Sequence, residues 1–222
     1  MADNMYGYSD YHGPLSETTN ESQDEETDDP LRAGLWMEGD SLAPPCGTSV
    51  PTIHRLLAFG EVGAHDVVYD LGCGDGRVCL EALVKFNAKA TVGVDIEHDL
   101  IQRFNDLIRS LPGTLTNNNR IQGVQADLRQ VISSFVTRAK GEVTSNYPTL
   151  PLPTVIVLYL LPESIQELEE DLVLLLTKLE PMKIICNTWG FSSIQPCKQL
   201  EIEEAIGGAT TSLFLYTQEC LQ

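Results

Sequence analysis

A glycine-rich stretch between a short apolar run and a helix-like segment constrains this chain more than any other feature. It reads VVYDLGCGDGRVCLEAL over residues 67–83, with glycine at positions 72, 74 and 76. A strand, a tight loop and a helix in this order form the usual nucleotide-binding unit of α/β proteins. The loop therefore predicts a binding site for a nucleotide-like ligand.

The residue order within this loop separates three kinds of ligand. A phosphate-binding P-loop requires GxxxxGK[ST], and no lysine follows these glycines. The dinucleotide fingerprint is GxGxxG, whereas this loop has GxGxG, with Asp70 before it and Asp75 within it. These carboxylates would repel a pyrophosphate and attract a cationic ligand. The loop favours a cationic ligand that carries no phosphate.

Predicted strands and helices alternate along the chain from residue 50 onwards. The strands are VVYDL, ATVGVDI, RIQGVQADL, TVIVLYLL and MKIICNTW, and helices begin near residues 51, 76, 98, 128 and 162. Residues 139–153 predict a loop, and QLEIEEAIGGATTSLFLYTQE predicts two strands around Gly207 and Gly208. The alternation indicates a mostly parallel sheet with helices on both faces and a closing hairpin.

The charge balance is strongly acidic and bears on the kind of partner. The 222 residues include 32 acidic and 14 basic ones, for a net charge of -18. Such a surface disfavours a nucleic-acid substrate and favours a basic protein. Residues 1–30 contain no lysine or arginine and predict a disordered stretch. We expect an acidic tail and linker over residues 1–45 and one domain over residues 46–222.

The cysteines and the N-terminal region indicate a cytoplasmic or nuclear protein. The cysteines form no CxxC pair, and this predicts free, reduced thiols and no metal site. They are Cys46, Cys73, Cys79, Cys186, Cys197 and Cys220. The N-terminal region has no basic segment before an apolar core and no arginine before Arg32, so we expect neither a signal peptide nor a mitochondrial presequence. No apolar run approaches the roughly 20 residues that span a bilayer, so a soluble protein is expected.

The segment DLGCGDG resembles the first motif of the class I, seven-stranded methyltransferases. These enzymes bind S-adenosyl-L-methionine, which carries an ammonium and a sulfonium but no phosphate. The resemblance implies an α/β fold with a Rossmann-like, doubly wound, mostly parallel seven-stranded sheet and an antiparallel C-terminal hairpin. It also implies S-adenosyl-L-methionine as the cofactor.

The same resemblance implies roles for the loop residues. Asp70 would face the methionine end of the cofactor, directly or through water. Gly72, Gly74 and Gly76 would let the backbone approach the ligand closely. Asp75, the second acid of the loop, belongs to the same predicted cofactor site.

Further acids stand at the ends of the next two predicted strands. Asp95 stands where the family binds the ribose hydroxyls, and Ile96 beside it would pack on the adenine. Asp127 stands where the family accepts a hydrogen bond from the adenine amino group, and Leu128 would add a backbone contact. The alternative is that Asp70, Asp95 and Asp127 cap helices.

The block from residue 50 to about residue 196 resembles a narrower group. This group comprises the small protein-lysine methyltransferases related to the mitochondrial ATP synthase c-subunit and adenine nucleotide translocase enzymes. The matching pieces are VPT, VVYDLGCGDGRV, GVDI, the pair Leu161-Pro162, and CNTWGFSSIQP. The chain lacks the basic, apolar targeting segment of the mitochondrial members, which disfavours a membrane-embedded substrate. The resemblance implies methyl transfer to a lysine side chain of a protein.

The fourth strand and the turn after the fifth supply the candidates on the substrate side. The predicted catalytic residues are Tyr159, whose hydroxyl would orient the amine, and Glu163, which would accept a hydrogen bond. The alternatives are a core aromatic residue for Tyr159 and a first-turn helix residue for Glu163. Trp189 would either line a lysine channel or pack in the core.

The other polar residues of interest have structural roles as alternatives to functional ones. Thr52 would close over the cofactor, and the alternatives are a helix cap or an exposed position. His54 and His98 are expected on helix surfaces rather than as catalytic bases. An acidic stretch follows Pro162, and we expect it to be a solvated helix face, with docking of a basic protein as the alternative. Its members are Glu167, Glu169, Glu170 and Asp171.

Other functions stay open beside the lysine methyltransferase. One is a small-molecule methyltransferase, and another is a non-catalytic cofactor-binding partner of a second methyltransferase. An NAD-binding module fits least well, because the loop order and Asp75 are unsuited to a pyrophosphate.

Overall fold

The computed structural model describes residues 47–142, 146–203 and 210–221. The predicted acidic tail and the Gly207-Gly208 turn lie outside the described residues, so both stay predictions. No helix among the described residues is long and apolar enough to cross a membrane.

Helices and strands alternate along the chain as the apolar pattern predicts. The helices are α1 (Val50–Phe59), α2 (Arg77–Val84), α3 (His98–Ser110), α4 (Gly113–Thr116), α5 (Leu128–Ala139) and α6 (Pro162–Lys178). The strands are β1 (Val67–Leu71), β2 (Ala90–Asp95), β3 (Ile121–Gln125), β4 (Val155–Leu158), β5 (Lys183–Asn187), β6 (Lys198–Glu203) and β7 (Thr210–Thr217).

Seven strands within the described residues form one sheet in the order β3-β2-β1-β4-β5-β7-β6. The first five are parallel, and β7 pairs antiparallel with both β5 and β6. The expected seven-stranded, mostly parallel sheet with an antiparallel C-terminal pair is therefore confirmed. The strand order changes direction between β1 and β4, and open α/β sheets bind ligands at such a point, beyond the carboxyl ends of the strands.

Successive side chains of β1 point to opposite faces of the sheet, so each face has its own core. Tyr69 and Leu71 are buried with residues of α5 and α6. Val68 is buried on the other face with residues of α1 and α2. Because helices cover both faces, the carboxyl edge of the parallel strands is the place where polar loops meet.

Phe104 of α3 is fully buried against three glycines. A Cβ atom at Gly76 would stand 2.1 Å from its ring, and Cβ atoms at Gly93 and Gly123 would stand 2.8 and 2.9 Å from it. Contacts this short are not tolerated in a close-packed interior. The three glycines thus make the space that Phe104 fills.

The fourth strand is shorter than its apolar run predicts, and a short helix was not predicted. TVIVLYLL predicts a strand to residue 161, but β4 ends at Leu158. Its neighbour β1 ends at Leu71, the partner of Leu158, and the chain then turns into the glycine loop. Tyr159 therefore lies beyond the sheet. The sequence before β3 carries no clear apolar periodicity, and the prediction did not include α4 there.

The expectation of free thiols is wrong for two of the cysteines. Cys197 and Cys220 form a disulfide bond, whereas Cys73, Cys79 and Cys186 are free and buried. Cys197 directly precedes β6, and Cys220 lies in the 3-10 helix Gln218–Leu221 that follows β7. The antiparallel pairing of β6 with β7 brings the two positions together at the edge of the sheet opposite the carboxyl ends. Cys46 lies outside the described residues.

Candidate cofactor and acceptor site

The glycine loop after β1 is held against the end of β2. The backbone amides of Gly72 and Cys73 both donate to the carbonyl oxygen of Val94, at 2.8 and 3.0 Å. The amide of Gly74 donates to Oδ2 of Asp95 at 2.8 Å. These three bonds join the glycine loop to the end of β2 and fix its position relative to Asp95, the predicted ribose-binding acid.

The glycines of the loop differ in what surrounds them. Gly72, Gly74 and Gly76 all have positive φ, a conformation that favours glycine. A Cβ atom at Gly74 would meet no atom of the described residues within 4 Å, so these residues leave open space above the loop there. At Gly76 the same atom would overlap Phe104, which gives this glycine a packing role. The space at Gly74 is where a ligand would approach the backbone, and the ligand contacts of Gly72 and Gly76 stay predictions.

Asp70 is a buried carboxylate that has no hydrogen-bonding partner in the part of the chain that the structure describes. The residue is 5% exposed, and no hydrogen bond or ion pair from another described residue reaches its side chain. Burial raises the pKa of Asp70 to about 7, and the nearby charges of Asp95 and Asp75 act in the same direction. Buried carboxylates are normally paired, because desolvation of the charge is costly. A cationic ligand would supply the missing partner.

Asp95 combines two structural hydrogen bonds with spare acceptor capacity. Its Oδ2 accepts from Gly74, and its Oδ1 accepts from the amide of Glu97 at 3.0 Å. A carboxylate has about four acceptor positions, so roughly two remain for a ligand. The neighbouring Ile96 is 55% exposed, which is unusual for a large apolar side chain among the described residues. An apolar surface beside a hydrogen-bond acceptor suits a flat ring attached to a hydroxylated sugar.

The carboxylate of Asp75 binds an arginine of the next helix. Nε and Nη2 of Arg77 lie 2.9 and 2.7 Å from its two oxygens. Nη1 of Arg77 also donates to the carbonyl oxygen of Thr48 at 3.2 Å. Asp75 thus connects the glycine loop to the segment before α1, and its contact with a cofactor stays a prediction.

Asp127 fulfils the alternative role that the sequence left open, since it caps a helix. Oδ1 accepts from the amide of Arg129 at 2.9 Å at the start of α5. The guanidinium of Arg129 adds three contacts of 2.8 to 3.0 Å to the two oxygens and lowers the pKa of Asp127. These bonds occupy most of its acceptor positions. Leu128 follows at the first position of α5, where a helix leaves its amide without an internal partner. The adenine contacts of both residues stay predictions.

Tyr159 and Trp189 form an aromatic pair at the adjacent ends of β4 and β5. Their ring centroids are 6.1 Å apart, and their planes meet at 22°. Both side chains are partly exposed, so neither is a fully buried core residue. Glu163 lies exposed in the first turn of α6, where an acid favours the helix N-terminus. The geometry permits both the predicted and the alternative role of each residue.

The acidic stretch of α6 is not a uniform solvated face, because Glu169 is buried. Glu169 is 5% exposed and accepts hydrogen bonds from Ser192 and Ser193, whereas Glu167 and Glu170 are exposed. Burial acts to raise the pKa of Glu169, but the bonds from Ser193 and Ser192 outweigh it and leave the pKa lowered. The expectation for this stretch is therefore wrong at position 169.

The structure favours the alternative roles of the three remaining candidates, which are a part in a helix cap for Thr52 and helix surfaces for His54 and His98. Thr52 is buried in α1, and its hydroxyl lies 2.9 Å from that of Ser49, the residue that caps the helix. His54 is partly exposed on α1 and lies 2.6 Å from Oε2 of Glu81. His98 is exposed at the start of α3.

The structural comparison identifies the fold. An RNA methyltransferase from Salinibacter ruber, solved with S-adenosyl-L-homocysteine, superposes with a TM-score of 0.58 at 24% identity, over 78% of this chain and 93% of that one. The C-terminal domain of precorrin-6Y C5,15-methyltransferase from Rhodobacter capsulatus gives a TM-score of 0.50 at 17% identity, over 81% and 94%. This is a methyltransferase fold.

Sequence comparison adds one short match to this methyltransferase fold. A protein-lysine N-methyltransferase of Saccharolobus islandicus is 42% identical over 59 residues. The match covers 27% of this chain and 37% of the relative, so the chain spans little more than a third of that protein. No family model matches the chain.

Proposed function

We propose that this protein is an S-adenosyl-L-methionine-dependent methyltransferase that acts on a lysine side chain of a protein. The observation that carries the proposal is Asp70, a buried carboxylate that has no hydrogen-bonding partner among the described residues and lies near the acids Asp75 and Asp95 of the candidate cofactor site. An ammonium group would pair with this carboxylate, whereas a phosphate would be repelled by it. The residues present thus fit S-adenosyl-L-methionine.

Residues at the ends of β1 and β2 would hold the cofactor in three ways. Asp70 would accept a hydrogen bond from the ammonium, and Asp95 would accept from the ribose hydroxyls. Ile96 would cover one face of the adenine. When bound, the cofactor supplies a methyl group on a positively charged sulfur, which a neutral amine can accept. Alignment of the acceptor with that methyl group accounts for much of the rate enhancement in such a displacement.

On the acceptor side, we assign the Tyr159–Trp189 pair to the lysine. A lysine must lose a proton before its nitrogen can act as a nucleophile, and an apolar surrounding favours the neutral form. The two partly exposed rings provide such a surface, and the hydroxyl of Tyr159 would orient the amine. The net charge of -18 favours a basic protein over a nucleic acid. The short match to a protein-lysine N-methyltransferase supports the same choice.

The test is transfer of a tritiated methyl group from S-adenosyl-L-methionine to proteins of a cell extract. The wild type is compared with Asp70→Asn and with Asp99→Asn, which removes an exposed carboxylate of α3. We expect protease-sensitive label that Asp70→Asn loses and Asp99→Asn retains. Acid hydrolysis of the labelled proteins should release methyl-lysine.

Other outcomes would contradict the proposal. Nuclease-sensitive label would identify a nucleic-acid methyltransferase, and label confined to small molecules would identify a small-molecule methyltransferase. Cofactor binding without any transfer would favour a non-catalytic partner of another methyltransferase.

A further inference from the structure

Glu169 is a buried carboxylate with four hydrogen bonds, and the proposed mechanism does not use it. Its Oε2 accepts from the amide and hydroxyl of Ser192 at 3.0 and 2.8 Å. Its Oε1 accepts from the amide and hydroxyl of Ser193, each at 2.6 Å. Four donors on a buried carboxylate make a strong and directional attachment. The attachment joins the middle of α6 to the chain segment that follows β5.

Two more contacts hold the same segment. The amide of Phe191 donates to the hydroxyl of Tyr216 at 2.8 Å, and the two rings stack with centroids 4.3 Å apart. A Cβ atom at Gly190 would stand 2.4 Å from that hydroxyl, so glycine is required for the close approach. The segment 190–193 is thus fixed to β7 on one side and to α6 on the other.

Trp189 directly precedes this segment, and its ring stacks on Tyr159. Its amide donates to the carbonyl oxygen of Asn187, at the end of β5. The position of the Trp189 ring therefore depends on β5 before it and on the fixed segment after it. Movement of residues 190–193 would change how Trp189 lies against Tyr159.

We propose that Glu169 is a positioning residue for the acceptor side of the site. By holding Ser192 and Ser193, it fixes Trp189 against Tyr159 and so preserves the surface that receives the lysine. The inference rests on the proposed function, and it assigns Glu169 neither a contact with substrate nor a share in proton transfer. It also separates Glu169 from its exposed neighbour Glu170, since only the buried residue holds the segment.

The main variant is Glu169→Gln, and Glu170→Gln is the matched control. A glutamine amide nitrogen cannot accept a hydrogen bond, so one pair of donors on Ser192 or Ser193 loses its acceptor. A Trp36→Phe background leaves Trp189 as the only tryptophan, because the chain has two. Acrylamide quenching of Trp189 fluorescence then reports on the aromatic pair without any substrate. Affinity for S-adenosyl-L-homocysteine reports on the cofactor side.

We expect Glu169→Gln to raise the quenching constant at least about twofold. Methyl transfer to extract proteins should fall about tenfold, which corresponds to the loss of one charge-assisted hydrogen bond. The affinity for S-adenosyl-L-homocysteine should stay within about twofold of the wild type, since the glycine loop is untouched. Glu170→Gln should match the wild type in all three measurements.

The double variant Ser192→Ala/Ser193→Ala provides a second test that leaves the carboxylate in place. Both serines are exposed, and only their hydroxyl bonds are removed. We expect a smaller increase in the quenching constant and a smaller loss of methyl transfer than for Glu169→Gln. If Glu169→Gln fails to bind S-adenosyl-L-homocysteine, the double variant tests the positioning role in its place. Unchanged quenching in both variants, or an equal loss of transfer in Glu170→Gln, would overturn the inference. If the wild type transfers no methyl group to protein, the proposed function fails, and the quenching result alone then decides whether Glu169 positions Trp189.

Discussion

Asp70 and Glu169 are equally buried carboxylates in opposite surroundings. Each is 5% exposed. Glu169 accepts four hydrogen bonds and has a lowered pKa, whereas Asp70 has no donor among the described residues and a pKa of about 7. A satisfied buried carboxylate stabilises the fold, and an unsatisfied one costs stability unless a ligand completes it. The comparison separates a carboxylate whose acceptor positions the protein fills from one that a cationic ligand would complete.

The largest expected effect is on the ligand affinity of the unsatisfied carboxylate. Asp70→Asn should weaken binding of S-adenosyl-L-homocysteine about 100-fold, or roughly 2.7 kcal/mol, because the ammonium loses a charged partner. The unfolding free energy of the ligand-free protein should stay the same or rise, since a buried charge has been removed. Calorimetric titration and urea unfolding measure the two quantities. Unchanged affinity, with Asp99→Asn as the control, would rule out the ammonium contact.

The satisfied carboxylate should respond to the same kind of change in the opposite way. Glu169→Gln should lower the unfolding free energy by about 2 kcal/mol, because buried amide donors lose their acceptor. Glu170→Gln, on the exposed face of the same helix, should change it by less than about 0.5 kcal/mol. Urea unfolding of the three proteins measures the difference. Equal unfolding free energies for the two variants would mean that the hydrogen bonds of Glu169 add nothing to stability.

The pH dependence of stability should carry opposite signs for the two residues. Between about pH 4 and pH 7, folded Asp70 keeps a proton that the unfolded chain has released, so its contribution to stability is lost as the pH rises. The loss is at most about 1.4 kcal/mol per pH unit, and Asp70→Asn should abolish it. Glu169 has a lowered pKa, so its contribution is lost as the pH falls. The difference between wild type and Glu169→Gln should shrink below about pH 4.

Binding of S-adenosyl-L-homocysteine should depend on the same proton. A cationic group favours the ionised form of Asp70, so affinity should rise as the pH rises through about 7. Titrations in buffers with different ionisation enthalpies should show proton release on binding by the wild type. Proton release of the same size by Asp70→Asn would locate the titrating group elsewhere.

The smallest effect on the affinity for S-adenosyl-L-homocysteine is expected when Asp127 is substituted. Arg129 already occupies most of its acceptor positions, so Asp127→Asn should change the affinity for S-adenosyl-L-homocysteine by less than about threefold. Asparagine is as good a helix cap as aspartate, so the unfolding free energy should change little. The same calorimetric titration measures the affinity. A loss of affinity as large as that of Asp70→Asn would show that Asp127 contacts the adenine in spite of its ion pair with Arg129.

Most of the fold could be predicted because each parallel strand is a short apolar run next to a helical pattern. The strand ends also located the candidate acids, since an aspartate directly after an apolar run must lie at the carboxyl edge. The same pattern could not separate a ligand contact from a helix cap at Asp127. That choice depends on where the Arg129 side chain points, which spacing alone does not determine.

The residues that sequence reasoning missed depend on contacts between distant parts of the chain. Glu169 stands four residues after Ile165 and three before Leu172, so helical periodicity places it on the buried face of α6. This signal was available, but its donors, Ser192 and Ser193, come from another element. The disulfide between Cys197 and Cys220 depends on the register of the last two strands, which no local pattern specifies.

The packing of Phe104 against Gly76, Gly93 and Gly123 has a consequence for how the sequence can evolve. The four positions come from α3, the end of the glycine loop, β2 and β3, yet none of them can change size by itself. A larger residue at any of the glycines requires a smaller one at position 104, so the four should covary among relatives. Alanine at position 76 should become more tolerable when leucine replaces Phe104, apart from the cost of the positive φ. We therefore expect the glycine of the candidate cofactor loop to be inherited together with an aromatic residue that lies far from it in the chain.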